Sequence, residues 1–428
     1  MSVKAYKFMS RYLATIAQRP NASRLLSVFD QSFSSLSNFI VTIILVRDYP
    51  AVSFAGYGMG LLLSLTLSGP YRTSFTLPVA LLSDRKFLLR RSGIVGQHLM
   101  IVAGLAVLQV AGIATVHAFT WNVLLEATIL AFVATCPIYL SVDFDRVLLF
   151  RSVGPVLAVA VSSGLSLAML GLAGLVFLTS ISFKVVMFVM GAIGLAKTLL
   201  VARLVDVPDF GHAVLLWRRT LATSVGWNTI GALSSTGITN APLWILSFFA
   251  APLNVAAYSA VRTPLQPLMV LIRSLDVLDK ITLGKMDPSD AHAQRRRVLK
   301  TFLFYLLVSL SFASLIGFLA TPTIRLFLGE TYVAFGWTLR LTALAFVLHV
   351  SALPLESWIY KAGQFRSYAV AQMIGGLMAI VCAVPLSIWF ADIGAVLASV
   401  LGWLVPYGFL LLHLLKGWPR STTTRPDS

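Results

Sequence analysis

RRRVLKTFLFYLLVSLSFASLIGFLA, residues 295–320, decides the class of this chain. Three consecutive arginines and Lys300 lead into a run that carries no further charge from Thr301 to Ala320. About 20 consecutive apolar residues are enough for a helix to cross the hydrocarbon core of a bilayer. Arg and Lys beside such a span stay on the cytoplasmic side. The stretch therefore reads as a membrane helix together with its inner flank.

Working outward, the same text recurs. Apolar runs occupy 25–46, 53–81, 94–117, 121–141, 153–177, 181–203, 223–249, 252–272, 299–320, 336–359, 368–388 and 392–414. Every second connection is basic. Arg85, Lys86, Arg90 and Arg91 follow the second run, Arg146 and Arg151 the fourth, Arg203, Arg218 and Arg219 the sixth. Lys361 and Arg366 follow the tenth, and Lys416, Arg420 and Arg425 the twelfth. The alternate connections hold only Arg47, Arg325 and Arg340. This pattern predicts an all-α polytopic membrane protein of twelve transmembrane helices, with both termini cytoplasmic. The expected location is a plasma membrane, the bacterial inner membrane.

Composition agrees. The 428 residues are 58% hydrophobic and 11% charged, whereas soluble domains carry about 25% charged residues. The net charge of +17 sits beside spans, where anionic lipids and insertion orientation call for it, so nucleic acid is excluded as a partner. Cys136 and Cys382 lie inside apolar runs and imply neither a metal site nor a disulfide framework. No cofactor is implied. The first run is too long for a cleaved leader and lacks a small-residue cleavage site.

The organisation expected is a basic interfacial helix over 1–24, a six-helix lobe over 25–203, a cytoplasmic linker over 204–222, a second six-helix lobe over 223–414, and a cytoplasmic tail over 415–428. Tyr6, Met9, Leu13 and Ile16 share one face of the first segment and Lys4, Lys7 and Arg11 another, as in a helix lying on the membrane. The lobes share text. Ser34-Ser35, Asn38, Pro50, Ala55, Tyr57 and Arg72 are answered by Ser234-Ser235, Asn240, Pro252, Ala256, Tyr258 and Arg273. Phe150-Arg151-Ser152 is answered by Phe365-Arg366-Ser367. Six spans per half make the repeat parallel, with a site expected at the repeat interface.

The Ser-rich first span ending in Asn38-Phe39, Phe54-Ala55-Gly56-Tyr57 entering the second, Phe327-Leu328-Gly329 with Tyr332 before the tenth, and the two Phe-Arg-Ser turns together resemble the polysaccharide-export branch, the Wzx-type O-antigen flippases, of the multidrug/oligosaccharidyl-lipid/polysaccharide flippase superfamily. That resemblance spans the chain. It implies two six-helix lobes around a central cavity that opens to each side in turn. It also implies a polyprenyl-diphosphate-linked oligosaccharide as substrate, carried from the inner to the outer leaflet for cell-surface polysaccharide synthesis. Polysaccharide polymerase or glycosyltransferases would be the protein partners. The alternative is a multidrug or small-molecule exporter of the same superfamily. An embedded glycosyltransferase or polymerase fits less well, because the outer connections are short and nearly acid-free, so a non-enzyme is expected.

Charges within spans are costly and usually functional. Arg262 stands about ten residues into the eighth run, with Pro264 and Pro267 after it. A guanidinium there suits bidentate binding of a diphosphate; the competing reading is a structural tie to another helix. Arg72 follows Gly69-Pro70, and a break there would aim it at the cavity. Neither arginine has an evident acidic partner in the sequence. Asn38, Asn240 and Gln266 suit sugar hydroxyls or helix packing. Asp30 suits proton or sodium coupling, a pair with Arg24, or a favoured position near a helix N-terminus. Lys184 and Lys197 read as snorkelling side chains, and His349 as packing or relay. Gly191–Thr198 imitates a phosphate loop without its strand or final glycine. Gly56, Gly58 and Gly60 read as close helix packing.

Overall fold

The computed structural model of the chain describes residues 20–76, 79, 84–118, 122–216, 226–269, 272, 275–276, 279, 283, 286, 290–362 and 364–416. The expected interfacial helix before Pro20, Arg273 and the tail beyond 416 lie outside them. Among the described residues every regular element is helical. Among the described residues nine helices are long and apolar enough to cross a membrane, against the twelve spans expected. The chain is a multi-span helical membrane protein.

The helices are α1 (Pro20–Asp48), α2 (Ala51–Tyr71), α3 (Asp84–Ala118), α4 (Val123–Ser152), α5 (Pro155–Leu178), α6 (Phe183–Val205), α7 (Trp227–Phe249), α8 (Pro252–Ala260), α9 (Ala291–Phe318), α10 (Ala320–Phe327), α11 (Gly336–Lys361) and α12 (Phe365–Lys416). The last holds two runs expected as separate spans. They meet at Ala391, whose φ of 48° is a left-handed value that costs a non-glycine residue energy. α1 and α7 are each separated from the next helix by two residues, Tyr49-Pro50 and Ala250-Ala251.

Two local expectations shift. Pro70 sits inside α2, and the helix runs through it to Tyr71. The irregularity comes one turn later, as a π-helical turn at Arg72–Thr76. Proline removes one amide donor, and a wider turn takes up the misfit. The fourth span was expected to stop at 141. Instead α4 continues to Ser152, because Asp143, Asp145 and Arg146 find partners on neighbouring helices.

The chain divides into two compact units. The first comprises residues 1–229, 251–267 and 327–329, and so contains α1 to α6 and α8. Here α4 packs against α2, α3 and α6, α1 against α5, and α8 against α2. The α2–α4 contact is very close: a Cβ at Gly60 would stand 2.5 Å from the Phe132 amide nitrogen and 2.6 Å from the Thr128 carbonyl. Across it, the Ser64 and Thr135 hydroxyls meet at 2.8 Å. Polar staples fix the α1 side, where Ser37 donates to the Ser166 carbonyl at 3.0 Å and Tyr49 to the Ile181 carbonyl at 2.8 Å. Phe87, Ile94, Val95, Phe144, Leu148 and Leu149 fill the core.

The second unit comprises residues 230–250, 268–326 and 330–428. In it α11 packs against α9 and α12, around Phe302, Leu355, Trp358, Tyr368 and Leu410. Lys361 donates to the Leu283 and Met286 carbonyls at 2.6 and 3.0 Å. His349 rests on the Trp403 ring, centroids 4.9 Å apart, and the Tyr368 hydroxyl donates to Glu356.

Candidate functional site

The lower part of α4 carries Asp143, Asp145 and Arg146 on successive faces of one turn. Asp145 is fully buried. Its Oδ2 lies 2.8 Å from Lys197 Nζ on α6 and accepts from the Thr198 hydroxyl at 3.2 Å. Its Oδ1 lies 2.8 Å from Nε2 of His98 on α3. His98 is 1% exposed, stacks on Phe144 at 4.5 Å, and meets the Tyr71 hydroxyl at 3.2 Å through Nδ1. An ionised carboxylate only accepts, so the network assigns the Nε2 proton to His98 and leaves Nδ1 to accept from Tyr71.

Arg146 turns the other way. Its Nε lies 2.7 Å from Oδ2 of Asp30 on α1, a carboxylate only 1% exposed. Asp143 is half exposed, 3.9 Å from Arg72 and 3.9 Å from Arg146. Three carboxylates thus face three cations, Arg72, Arg146 and Lys197. A buried ion needs such compensation, since desolvation costs several kcal/mol per ion.

Arg262 follows the end of α8. Pro264 and Pro267 cannot donate to the preceding turn, so the helix gives way to a turn at Val261-Arg262 and a 3-10 turn at Thr263–Leu265. Arg262 is half-buried. Its Nη2 donates to the Tyr258 hydroxyl at 2.8 Å, and its guanidinium carbon sits 4.6 Å above that ring. Stacking and the hydrogen bond hold the planar cation in one orientation. The 3-10 turn packs against α1, the helix that carries Asp30 and Asn38.

Of the expected site residues, Asp30, Asn38, Arg72, Arg262 and Gln266 belong to the first unit and Asn240 to the second. Asn38 and Gln266 are half-buried, and Asn240 is buried. Arg72 is 69% exposed, and the expectation that it lacks an acidic partner is corrected by Asp143. Asp30 is tied to Arg146; the side chain of Arg24 lies outside the described residues. Among the described residues no group of three or more His, Cys, Asp or Glu side chains could hold a metal ion.

Searches with family models found no match, and no curated protein matches in sequence. Solved structures do match. An inward-facing multidrug-resistance transporter of the MATE family aligns over 90% of this chain and 95% of its own, with a TM-score of 0.62 at 13% identity. The lipid II flippase MurJ in an inward closed conformation aligns over 92% and 88%, with a TM-score of 0.66 at 12% identity. A MOP-superfamily transporter from Pyrococcus furiosus aligns over 92% and 96%, at 0.52 and 13% identity. The chain has the MOP-superfamily transporter fold. At these identities the likeness speaks for the fold alone.

On this fold the sequence reading missed the densest polar cluster. Asp145 is buried as deeply as Asp30, the acid expected within a span. The error began with the span ending at 141, which put Asp145 in a loop. Lys197 was read as snorkelling; it is 5% exposed and bound to Asp145. Lys184 pairs with Glu126, nearer the start of α6. A usable signal was present. Asp145 and Arg146 interrupt an otherwise apolar text that resumes at once with Val147-Leu148-Leu149-Phe150, which is how a helix continuing past a buried charge reads.

Proposed function

We propose that the chain flips a polyprenyl-diphosphate-linked oligosaccharide from the inner to the outer leaflet, by alternating access, for cell-surface polysaccharide synthesis. The observation that carries this reading is Arg262. A guanidinium oriented by Tyr258 at the broken end of a membrane helix offers a planar fork to a diphosphate. Neutral amides at Asn38, Asn240 and Gln266 suit sugar hydroxyls. Arg72, shared with Asp143 and exposed, suits an early contact with the headgroup. Asp30 with Arg146 suits the ion-coupled step. No nucleotide-binding element occurs in the sequence, so an ion gradient or the membrane potential would bias the two states. Anionic lipids, and a polysaccharide polymerase or glycosyltransferases, are the partners this reading expects, in a bacterial inner membrane with both termini inside.

The wider fold family also contains exporters, and a small-molecule exporter is the second reading. Buried carboxylates would favour a cationic cargo. Here Asp30 and Asp145 are each matched by a cation of the chain itself, which favours an anionic one.

The test is reconstitution with a fluorescent polyprenyl-diphosphate glycan in vesicles, followed by quenching from outside. Arg262→Ala should lower the translocation rate at least about tenfold while insertion and abundance persist. Undiminished flipping by that variant would remove Arg262 from the mechanism. Efflux of organic cations without glycan flipping would favour the exporter reading.

A further inference from the structure

We propose that Tyr71, His98, Asp145 and Lys197 form a proton site within the first unit, with Nδ1 of His98 as the acceptor, and that the coupling ion of the transport reading above is therefore a proton. The proposal deepens that reading and rests on it.

The geometry carries it. Four titratable side chains from α2, α3, α4 and α6 converge in a core that shields them almost wholly from solvent. Polar residues inside a membrane helix bundle are expensive and mark ion or proton pathways. Charge balance alone asks for no histidine here, because Lys197 and Asp145 already neutralise each other. With His98 neutral, every strong polar atom of the imidazole is satisfied: Nε2–H by Asp145 at 2.8 Å, and Nδ1 by the Tyr71 hydroxyl at 3.2 Å. Nδ1 is the basic nitrogen of the neutral ring, and what covers it is a phenol that can itself accept a hydrogen bond.

Uptake is simple to balance. A proton from water adds to Nδ1. The Tyr71 hydroxyl turns from donor to acceptor, and no covalent bond breaks. The net charge of the four groups rises from zero to plus one. The polar groups next in sequence to the cluster reach the surface: Arg72, in the π-helical turn after Tyr71, is exposed, and Asp143 beside it is half exposed.

The surroundings determine what the added charge does. From α1, Asp30 faces Arg146 and feels Lys197 electrostatically. From α2 comes Arg72, and from α4 Asp143, Arg146 and Arg151, the last stacked on Phe87. The segment after α6 brings Asp206, bonded to Arg91 at 2.8 Å. Asp209 and His212 of the same segment lie against Gly96 and Gly93, the turn of α3 before His98. Once His98 is charged, Asp145 faces two cations at once, and its hold on Lys197 weakens. The pair on α1 and the cluster on α4 are then linked through adjacent residues, Asp145 and Arg146. A single proton can thereby change how α1, α4 and α6 hold one another.

The test uses the full chain in nanodiscs, labelled with 15N-histidine. The chain has six histidines, and His98 is assigned by its absence in His98→Gln, or by eliminating the other five where that variant does not fold. The expected result is conversion of the His98 ring from the Nε2–H form to the doubly protonated form as the pH is lowered. A His98 ring that stays neutral throughout overturns the proposal. In vesicles carrying the fluorescent glycan, a proton gradient at clamped potential should change the wild-type rate about tenfold, and that ratio should fall to about one in His98→Gln. A merely structural role would lower both rates and leave the ratio intact, which also overturns the proposal. A protein that titrates at His98 yet flips no glycan removes the glycan reading and leaves the proton site standing.

Discussion

Lys197 Nζ lies 2.8 Å from Asp145 Oδ2, with the two side chains 5% and 0% exposed. The pair joins α6 to α4, the helix at the centre of the first unit. Two opposite charges at this depth are stable only as a pair, because either one alone must be desolvated without compensation.

Removing one partner should therefore be worse than removing both. Lys197→Met should cost about 3–5 kcal/mol, in line with other broken buried pairs, while Lys197→Met combined with Asp145→Asn should recover much of the loss. Thermal unfolding of the four proteins of this cycle in detergent measures the coupling. Equal melting temperatures for wild type and Lys197→Met would show that the pair contributes nothing.

Arg262 makes a different demand, on shape as well as charge. Its guanidinium stacks on Tyr258 and donates to that hydroxyl. Lysine keeps the charge and loses the planar fork. Arg262→Lys should consequently flip a diphosphate-linked glycan at least about tenfold more slowly than wild type. Tyr258→Phe, which keeps the ring and removes the acceptor, should fall between the two. A lysine variant with wild-type rates would mean that only point charge matters at this position.

The membrane class and most helix positions were legible because both follow from one strong signal, apolar length interrupted by basic flanks. The joint at Ala391 was legible for the same reason: the gap between the last two runs falls there. The charged core of the first unit was not. A hydropathy window ends a span at its first cluster of charges, so α4 was cut before Asp145. The partners that make the longer helix possible, Lys197, His98 and Tyr71, come from three other helices and leave no local trace. Lys197-Thr198 was even visible, as the end of a false phosphate loop. Its true role is to hold Asp145, which only the packing of α4 on α6 discloses. The Gly56, Gly58 and Gly60 text was read correctly as close packing, since small residues at helical spacing have few other uses in a membrane helix.

That glycine text supports a paired prediction. A methyl group at Gly60 would press on the backbone of α4, at Phe132 and Thr128, which cannot rotate away. Gly60→Ala should destabilise by about 1–3 kcal/mol. A Cβ at Gly164 in α5 would meet nothing within 4 Å. Gly164→Ala should be neutral or stabilising by up to about 1 kcal/mol, through the lower backbone entropy of the unfolded chain. Thermal melts of the two variants side by side decide the matter, and a harmless Gly60→Ala would show that the α2–α4 contact is looser than described.

A last prediction concerns acid. Asp206, just beyond α6, accepts from Arg91 Nε at 2.8 Å and from the Val207 amide at 2.9 Å. The Arg91 hydrogen bond holds its carboxyl below the usual aspartate range. A depressed folded-state value means that the contact contributes stability above the unfolded value, near 3.9, and loses it as pH falls through the folded value. The contact is partly exposed, so it is worth at most about 1 kcal/mol. It matters locally, because the same segment is tied to α3 by the Asp209 amide and the Ser92 carbonyl at 3.1 Å. Arg91→Gln should raise hydrogen exchange across residues 206–210 at neutral pH. The difference from wild type should shrink below about pH 4 as the carboxylate is neutralised in the wild-type protein. A difference that persists unchanged into acid would show that Arg91 acts through packing and not through its charge on Asp206.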